Sequence, residues 1–85
     1  MQVKRDIKEV KEMEFVRQSE LAELNGVRPS TVKYYSELGL LPYQQHGQGL
    51  SKFYNRIEAR KRLQKILELK KKGKTLNEII SKFIT

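Results

Sequence analysis

Polar and cationic side chains lie close together between positions 28 and 34 of this chain, as Arg28, Ser30, Thr31, Lys33 and Tyr34. Their guanidinium, hydroxyl, ammonium and phenol groups can bind phosphates and the edges of nucleic-acid bases. Catalytic chemistry is not indicated, because the carboxylates are scattered and no nucleophile is paired with a base. The chain also has no glycine-rich phosphate loop. We therefore expect a binding protein and not an enzyme.

Metal and thiol chemistry are equally unsupported. The chain has no cysteine and a single histidine, His46. One imidazole without a second histidine or a thiolate cannot build a typical zinc site. We interpret His46 and Gln48 as polar residues at the tip of a loop, and we expect neither a metal ion nor a cofactor.

The polar group lies within a pattern of two short helices joined by a tight turn. A first helix is predicted near 18–25, and Asn25-Gly26 provides its end. Pro29 favours the start of a second helix over about 29–37. That order is the layout of a helix-turn-helix, whose second helix enters a DNA major groove.

Each of these two helices has an apolar face. In the first helix, Leu21 and Leu24 are expected to point inward and Glu20 to face solvent. In the second helix, Val32 and Tyr35 are expected to point inward. The exposed residues of the second helix are then Ser30, Thr31, Lys33, Tyr34 and Glu37.

A polar segment follows the second helix and leads to two more helices. Residues 42–54 predict a short β-hairpin, for which a flexible loop is the alternative. Asn-x-x-Glu at 55–58 is a capping pattern that predicts a third helix over about 56–72. Its buried stripe is expected at Ile57, Leu63, Ile66 and Leu67. Thr-x-x-Glu at 75–78 opens a fourth helix, whose apolar residues keep the helical period.

Positive charge is concentrated in the C-terminal half of the chain. The whole chain carries a net charge of +8, and residues 52–74, with ten basic and two acidic side chains, carry the same net charge. The charges of residues 1–14 sum to zero. Such a concentration indicates a polyanionic partner. A lysine-rich helix face that is only solvated is the alternative.

Three segments stand out by residue type and spacing. They are Ser19-Glu20-Leu21-Ala22 before Gly26-Val27, Thr31-Val32-Lys33-Tyr34-Tyr35 before Gly39-Leu40-Leu41-Pro42, and Ser51-Lys52-Phe53-Tyr54. Together they resemble the DNA-binding domain of the MerR family of bacterial transcription regulators, over roughly Phe15 to Ile84. The resemblance implies a mostly α winged helix-turn-helix with about four helices and a short β-hairpin wing. It also implies sequence-specific binding of double-stranded DNA and regulation of transcription.

The resemblance directs Lys33 and Tyr34 toward DNA, with a core position for the Tyr34 ring as the alternative. Lys52 matches the wing arginine of the family, and Tyr54 matches the tyrosine that follows it. Arg28 stands where the family commonly has a hydroxyl cap. Arginine cannot cap a helix, so Arg28 is expected to reach a phosphate or a guanine, with a structural role as the alternative. The predicted DNA contacts are Arg28, Ser30, Thr31, Lys33, Tyr34, Lys52, Tyr54, Arg56, Arg60 and Lys61.

Residues 1–14 precede the resemblance and form an N-terminal extension to the domain of residues 15–85. Val3, Ile7 and Val10 recur at helical spacing, which predicts an amphipathic helix at the start of the chain. A frayed leader is the alternative. The helix would pack on the domain or on a second copy, so these three residues are the predicted self-association site, for a weak homodimer or a side-by-side assembly on DNA.

The chain ends at Thr85, before the dimerisation helix and effector domain that such regulators usually carry. We therefore expect a short form without a small-molecule sensor, or a domain of a longer protein. A phage or plasmid accessory factor (excisionase-like, partition or architectural) is an alternative, and a basic protein-interaction module is another. No apolar run reaches the length of a membrane span and no signal peptide is recognisable, so a cytoplasmic, nucleoid-associated protein is expected.

Overall fold

The structure, a computed structural model, describes residues 5–84 of the chain. In chain order its elements are α1 (Ile7–Val10), β1 (Phe15–Arg17), α2 (Gln18–Leu24), α3 (Pro29–Glu37), β2 (Phe53–Asn55), α4 (Arg56–Lys71) and α5 (Leu76–Ile84). This mostly helical arrangement with one small sheet confirms the predicted winged helix-turn-helix fold. The predicted bounds of α2 to α4 agree with the structure to within one residue at each end.

A two-stranded antiparallel sheet is formed by one strand that precedes the helix-turn-helix, β1, and one that follows it, β2. Its central partners are Val16 of β1 and Tyr54 of β2. The chain leaves β1 directly into α2, passes through α3, and returns to the same sheet at β2. The sequence does not predict β1, because this strand is three residues long and its partner lies beyond the helix-turn-helix.

The wing is the loop between Gln44 and Phe53. These two residues form one antiparallel bridge, in which both backbone N–H···O distances are 2.8 Å. Above the bridge, Gln45 Nε2 donates to the Leu50 carbonyl oxygen at 2.6 Å, and the Leu50 N–H donates to the Gly47 carbonyl oxygen at 3.1 Å. The wing is therefore a short hairpin, closed at its base by one bridge and ordered above it by local hydrogen bonds.

Two glycines end the helices of the helix-turn-helix. Gly26 has a φ of 66° and Gly39 a φ of 79°, both left-handed conformations that residues with a Cβ rarely adopt. After Gly26, the Val27 N–H donates to the Ala22 carbonyl oxygen at 3.0 Å. After Gly39, the Leu40 N–H donates in the same way to the Tyr35 carbonyl oxygen at 2.9 Å. Both are Schellman caps, so the two glycines determine where α2 and α3 stop.

One hydrophobic core joins the helices to the sheet. The fully buried side chains at its centre include Val16, Leu21, Val32, Tyr54, Leu63, Ile66 and Ile79.

The buried stripe of α4 differs from the predicted one. It consists of Ala59, Leu63, Ile66 and Leu69. Leu67 is only partly buried, and Ile57 is 53% exposed. Ile57 precedes Ala59 by two residues, about 200° around a helix of 3.6 residues per turn, and therefore faces solvent.

Both predicted helix-capping patterns are confirmed. Asn55 Oδ1 accepts a hydrogen bond from the Glu58 N–H at 3.0 Å. Thr75 Oγ1 accepts from the Glu78 N–H at 3.2 Å, and Glu78 Oε1 accepts from the Thr75 N–H at 3.1 Å. These caps satisfy backbone donors at the first turns of α4 and α5, which explains why both helices begin where the sequence predicts.

The described part of the N-terminal extension packs on its own domain. α1 is a single turn, shorter than the predicted amphipathic helix. Val10 is 1% exposed and belongs to the core, against which Ile7 and Met13 also pack. The prediction that Val10 mediates self-association is therefore wrong, since its own domain already covers it. For Ile7, which is only partly buried, self-association stays a prediction. Val3 lies outside the described residues.

Glu20 joins this extension to α2. It was expected to face solvent, but it is 7% exposed. Arg5 donates to it from Nε, at 2.6 Å to Oε2, and from Nη2 to Oε1, while the Arg17 N–H donates to Oε1 at 2.7 Å. These hydrogen bonds, chiefly those from Arg5, hold the pKa of Glu20 below its usual value. A carboxylate of the helix-turn-helix thus anchors the N-terminal segment.

Candidate nucleic-acid interface

α3 has one buried face and one polar face. Val32 and Tyr35 point into the core, as predicted. The outer side of the helix carries Ser30, Thr31, Lys33 and Tyr34. Tyr34 is 48% exposed, so its ring belongs to this outer face and not to the core. The structure therefore brings together on one surface the hydroxyl, ammonium and phenol groups that the sequence singled out.

Arg28 stands at the start of α3. It occupies the N-cap position and makes no side-chain capping hydrogen bond, as expected for a residue without an acceptor. Its backbone carbonyl accepts from the Thr31 N–H at 3.0 Å, which begins the helix. The Arg28 side chain is exposed, and the residue directly precedes the first turn of α3.

α2 holds α3 in position from behind. The Gln18 side-chain amide donates to the Pro29 carbonyl oxygen at 3.3 Å, which ties the first residue of α2 to the first residue of α3. At the other end of α2, Asn25 Nδ2 donates to the Leu21 carbonyl oxygen at 2.8 Å. The turn between the helices is thereby braced at both ends.

The wing lies next to the start of α3. Lys52 and Leu50 of the wing line one open groove together with Gln18 of α2 and Pro29 of α3. Lys52 is half-buried, and its Nζ lies 5.0 Å from the centroid of the Tyr43 ring. The predicted tip residues, His46 and Gln48, are both exposed on the loop. A cation and several polar groups thus flank the polar face of α3.

Tyr54 does not belong to this surface, and its prediction as a DNA contact is wrong. Its side chain is completely buried, and its hydroxyl oxygen lies 2.6 Å from Ser36 Oγ. Ser36 donates its single hydroxyl proton to the Val32 carbonyl oxygen at 2.7 Å, so Tyr54 is the donor to Ser36. Burial raises the pKa of the Tyr54 phenol. The strand pattern explains the difference, since Tyr54 is the inward-facing residue of β2.

The basic residues at the start of α4 have two different environments. Arg60 and Lys61 are exposed. Arg56 is half-buried, with its Nε donating to the Met13 carbonyl oxygen at 2.7 Å and its N–H donating to the Glu14 carbonyl oxygen at 2.8 Å. Arg56 therefore holds the N-terminal segment against α4, a role that its sequence position did not indicate.

Neither a metal-binding cluster nor a membrane-spanning helix is present among residues 5–84. In that range, no three histidine, cysteine or acidic side chains are grouped so that they could hold a metal ion. Over the same residues, none of the helices is both long and apolar enough to cross a membrane.

A helix-turn-helix with an exposed polar second helix and an adjoining wing defines the class of winged helix-turn-helix DNA-binding domains. The family model described as "MerR HTH family regulatory protein" matches residues 16–83. This chain therefore belongs to the MerR family of helix-turn-helix regulatory proteins, which are DNA-binding transcription regulators and not enzymes. Searches of the curated proteins and of the solved structures gave no significant match.

Proposed function

We propose that this domain recognises a specific sequence in double-stranded DNA by placing α3 in the major groove, and that it regulates transcription from such sites. The observation that carries the proposal is the exposed polar face of α3, with Arg28 directly before its first turn and Tyr34 on its second turn. A B-DNA major groove admits one α-helix, and residues near the N-terminal end of that helix reach the base edges.

The residues of α3 divide into two groups by chemistry. Arg28 can donate two hydrogen bonds to a guanine, a pairing that discriminates against a wrong base by about 1–3 kcal/mol. Ser30 and Thr31 have hydroxyls that can bond to base edges or phosphates. Lys33 carries a compact ammonium without the planar fork of an arginine, so it is better suited to a phosphate than to a base edge. Sequence preference therefore rests mainly on the first turn of α3.

Phosphate contacts are proposed for three lysine and arginine side chains outside α3. Lys52 lies on the wing, and Arg60 and Lys61 are exposed near the start of α4. Contacts with phosphates fix the position of a protein on the duplex and supply affinity, but they do not read the sequence. Each of these residues should therefore contribute the same affinity whatever the sequence of the duplex.

The test is selection from a random pool of double-stranded DNA at roughly physiological salt, followed by sequencing of the bound fraction. Enrichment of a defined motif is the expected result. Its arrangement as an inverted repeat, a direct repeat or a single site would show how copies assemble. Salt-sensitive binding without enrichment would contradict sequence-specific recognition and favour an architectural role. No binding to any duplex would overturn the proposal altogether.

A further inference from the structure

Lys52 of the wing contacts the aromatic side chain of Tyr43, the residue directly before the wing. The Lys52 Nζ lies 5.0 Å from the Tyr43 ring centroid, within the range of a cation–π interaction. We propose that Tyr43 is a positioning residue, which fixes the Lys52 ammonium for contact with a backbone phosphate of DNA. The inference rests on the proposed function and assigns to it a residue that is not itself one of the proposed DNA contacts.

The Tyr43 ring also connects the wing to α3. The Tyr43 centroid lies 6.0 Å from that of Tyr54, and the Tyr54 hydroxyl donates to Ser36 on the inner side of α3. Contacts therefore run without a break from Lys52 through both rings to α3. Tyr54 and Ser36 are buried, so the inner end of this connection lies in the core. Tyr43, which is 41% exposed, links Lys52 to that inner end and thereby to α3.

Ordering of Lys52 before binding has an energetic consequence. A free lysine side chain loses rotamer freedom when it is immobilised on a phosphate, whereas an ordered one loses less. The ring covers one side of the ammonium, and the group has three N–H donors, so donors remain for the phosphate. A single cation–π contact at such a half-exposed site favours the ordered conformation of Lys52 by about 2- to 5-fold. The affinity for DNA should rise by about the same factor.

The test measures affinity for one duplex of arbitrary sequence over a range of salt concentrations. The variants are Tyr43→Leu, Tyr43→Phe, Lys52→Met and the double variant Tyr43→Leu/Lys52→Met. We expect Tyr43→Leu to weaken binding by about 2- to 5-fold, and Tyr43→Phe to bind like the wild type because the ring face is kept. In the Lys52→Met background, Tyr43→Leu should have no further effect. An equal loss in both backgrounds would overturn the inference.

A matched control separates positioning from general damage to the wing. Lys33 lies on α3, outside the wing, so Tyr43→Leu should weaken binding by the same factor with or without Lys33→Met. Tyr43 is 41% exposed, and the Leu variant is expected to stay folded, which thermal unfolding would check. If Tyr43→Leu also had no further effect in the Lys33→Met background, Tyr43 would support the whole interface and not Lys52 alone.

A measurement without DNA tests the geometry directly. A ring 5.0 Å from Nζ should shift the Lys52 ε-methylene protons upfield in the NMR spectrum of the free protein. The shift should persist in Tyr43→Phe and disappear in Tyr43→Leu. Its absence from the wild type would overturn this inference and leave the proposed function standing. If the wild type binds no duplex even at low salt, the proposed function fails, and the phosphate role of Lys52 fails with it.

Discussion

The hydroxyl of Tyr54 lies 2.6 Å from Oγ of Ser36, and this buried pair joins the strand behind the wing to the inner side of α3. The Ser36 hydroxyl in turn donates a hydrogen bond to the Val32 carbonyl oxygen. The two hydroxyls therefore form a short chain of hydrogen bonds that all run in one direction. The wing and α3, the two parts of the proposed DNA-binding surface, are thus joined through one hydrogen bond inside the core. The stability of the domain should therefore be sensitive to substitutions of Tyr54 and Ser36.

Ser36→Ala should destabilise the domain by about 1–3 kcal/mol, because it leaves the buried Tyr54 hydroxyl without a partner. Tyr54→Phe should cost less, about 0.5–1.5 kcal/mol, since the Ser36 proton is still accepted by Val32. Urea unfolding of the two variants would measure the difference. A larger loss for Tyr54→Phe than for Ser36→Ala would mean that the hydrogen bond is not directed as assigned.

The Arg5–Glu20 pair should make stability depend on pH. The pKa of Glu20 is lower in the folded protein than its ordinary value of 4.5, which applies to the unfolded chain. The carboxylate therefore contributes stability that is fully present above pH 4.5 and is lost as the pH falls through the folded-state pKa. Glu20→Gln should lack this part of the acid sensitivity. Thermal unfolding between neutral and acid pH would measure it.

Glu12→Gln is the control for that experiment, because Glu12 is exposed. It should unfold with the same pH dependence as the wild type. Should Glu20→Gln and the wild type lose stability in parallel on acidification, the pair does not anchor the N-terminal segment.

Val10→Ala should destabilise the folded domain by about 2 kcal/mol, because it removes buried methyl groups and leaves a cavity. Ile57→Ala is a matched control on a 53% exposed side chain and should change stability by less than about 0.5 kcal/mol. Unfolding at several protein concentrations would detect any role in self-association. An unchanged midpoint for Val10→Ala would show that the N-terminal segment is not part of the core.

Lys61→Ala should weaken binding to all duplexes by a similar factor and reduce the salt slope by about 0.9, the value for one lost phosphate contact. Lys72→Ala is the control, since Lys72 caps the far end of α4 and pairs with Glu68 at 3.0 Å. Its salt slope should stay close to that of the wild type. Equal slopes for the two variants would indicate a diffuse charge effect and not a defined contact.

The features that could be predicted from the sequence are those set by neighbouring residues. Helical periodicity, a proline at the first position of α3, glycine stops and two capping patterns determine the ends of four helices locally. The outer face of α3 follows from the same periodicity. The buried Val32 and Tyr35 fix which side of the helix remains exposed.

The features that were missed depend on contacts between distant parts of the chain. Glu20 looked solvent-facing because a charge is rarely buried without a partner, and its partner, Arg5, lies fifteen positions earlier. Tyr54 is amphipathic, and only its place in β2 and the hydroxyl of Ser36 decide that it is a core residue. β1 is too short to have a recognisable pattern of its own.

The most direct test of sequence reading by α3 compares the motifs selected from random duplex DNA by the wild type, by Arg28→Ala and by Lys61→Ala. We predict that Lys61→Ala enriches the wild-type motif with lower affinity, because it loses only a phosphate contact. Arg28→Ala should lose preference at about one or two base pairs, since its side chain is proposed to read a base edge. An unchanged motif for Arg28→Ala, and likewise for Thr31→Ala, would contradict the claim that the first turn of α3 reads the sequence.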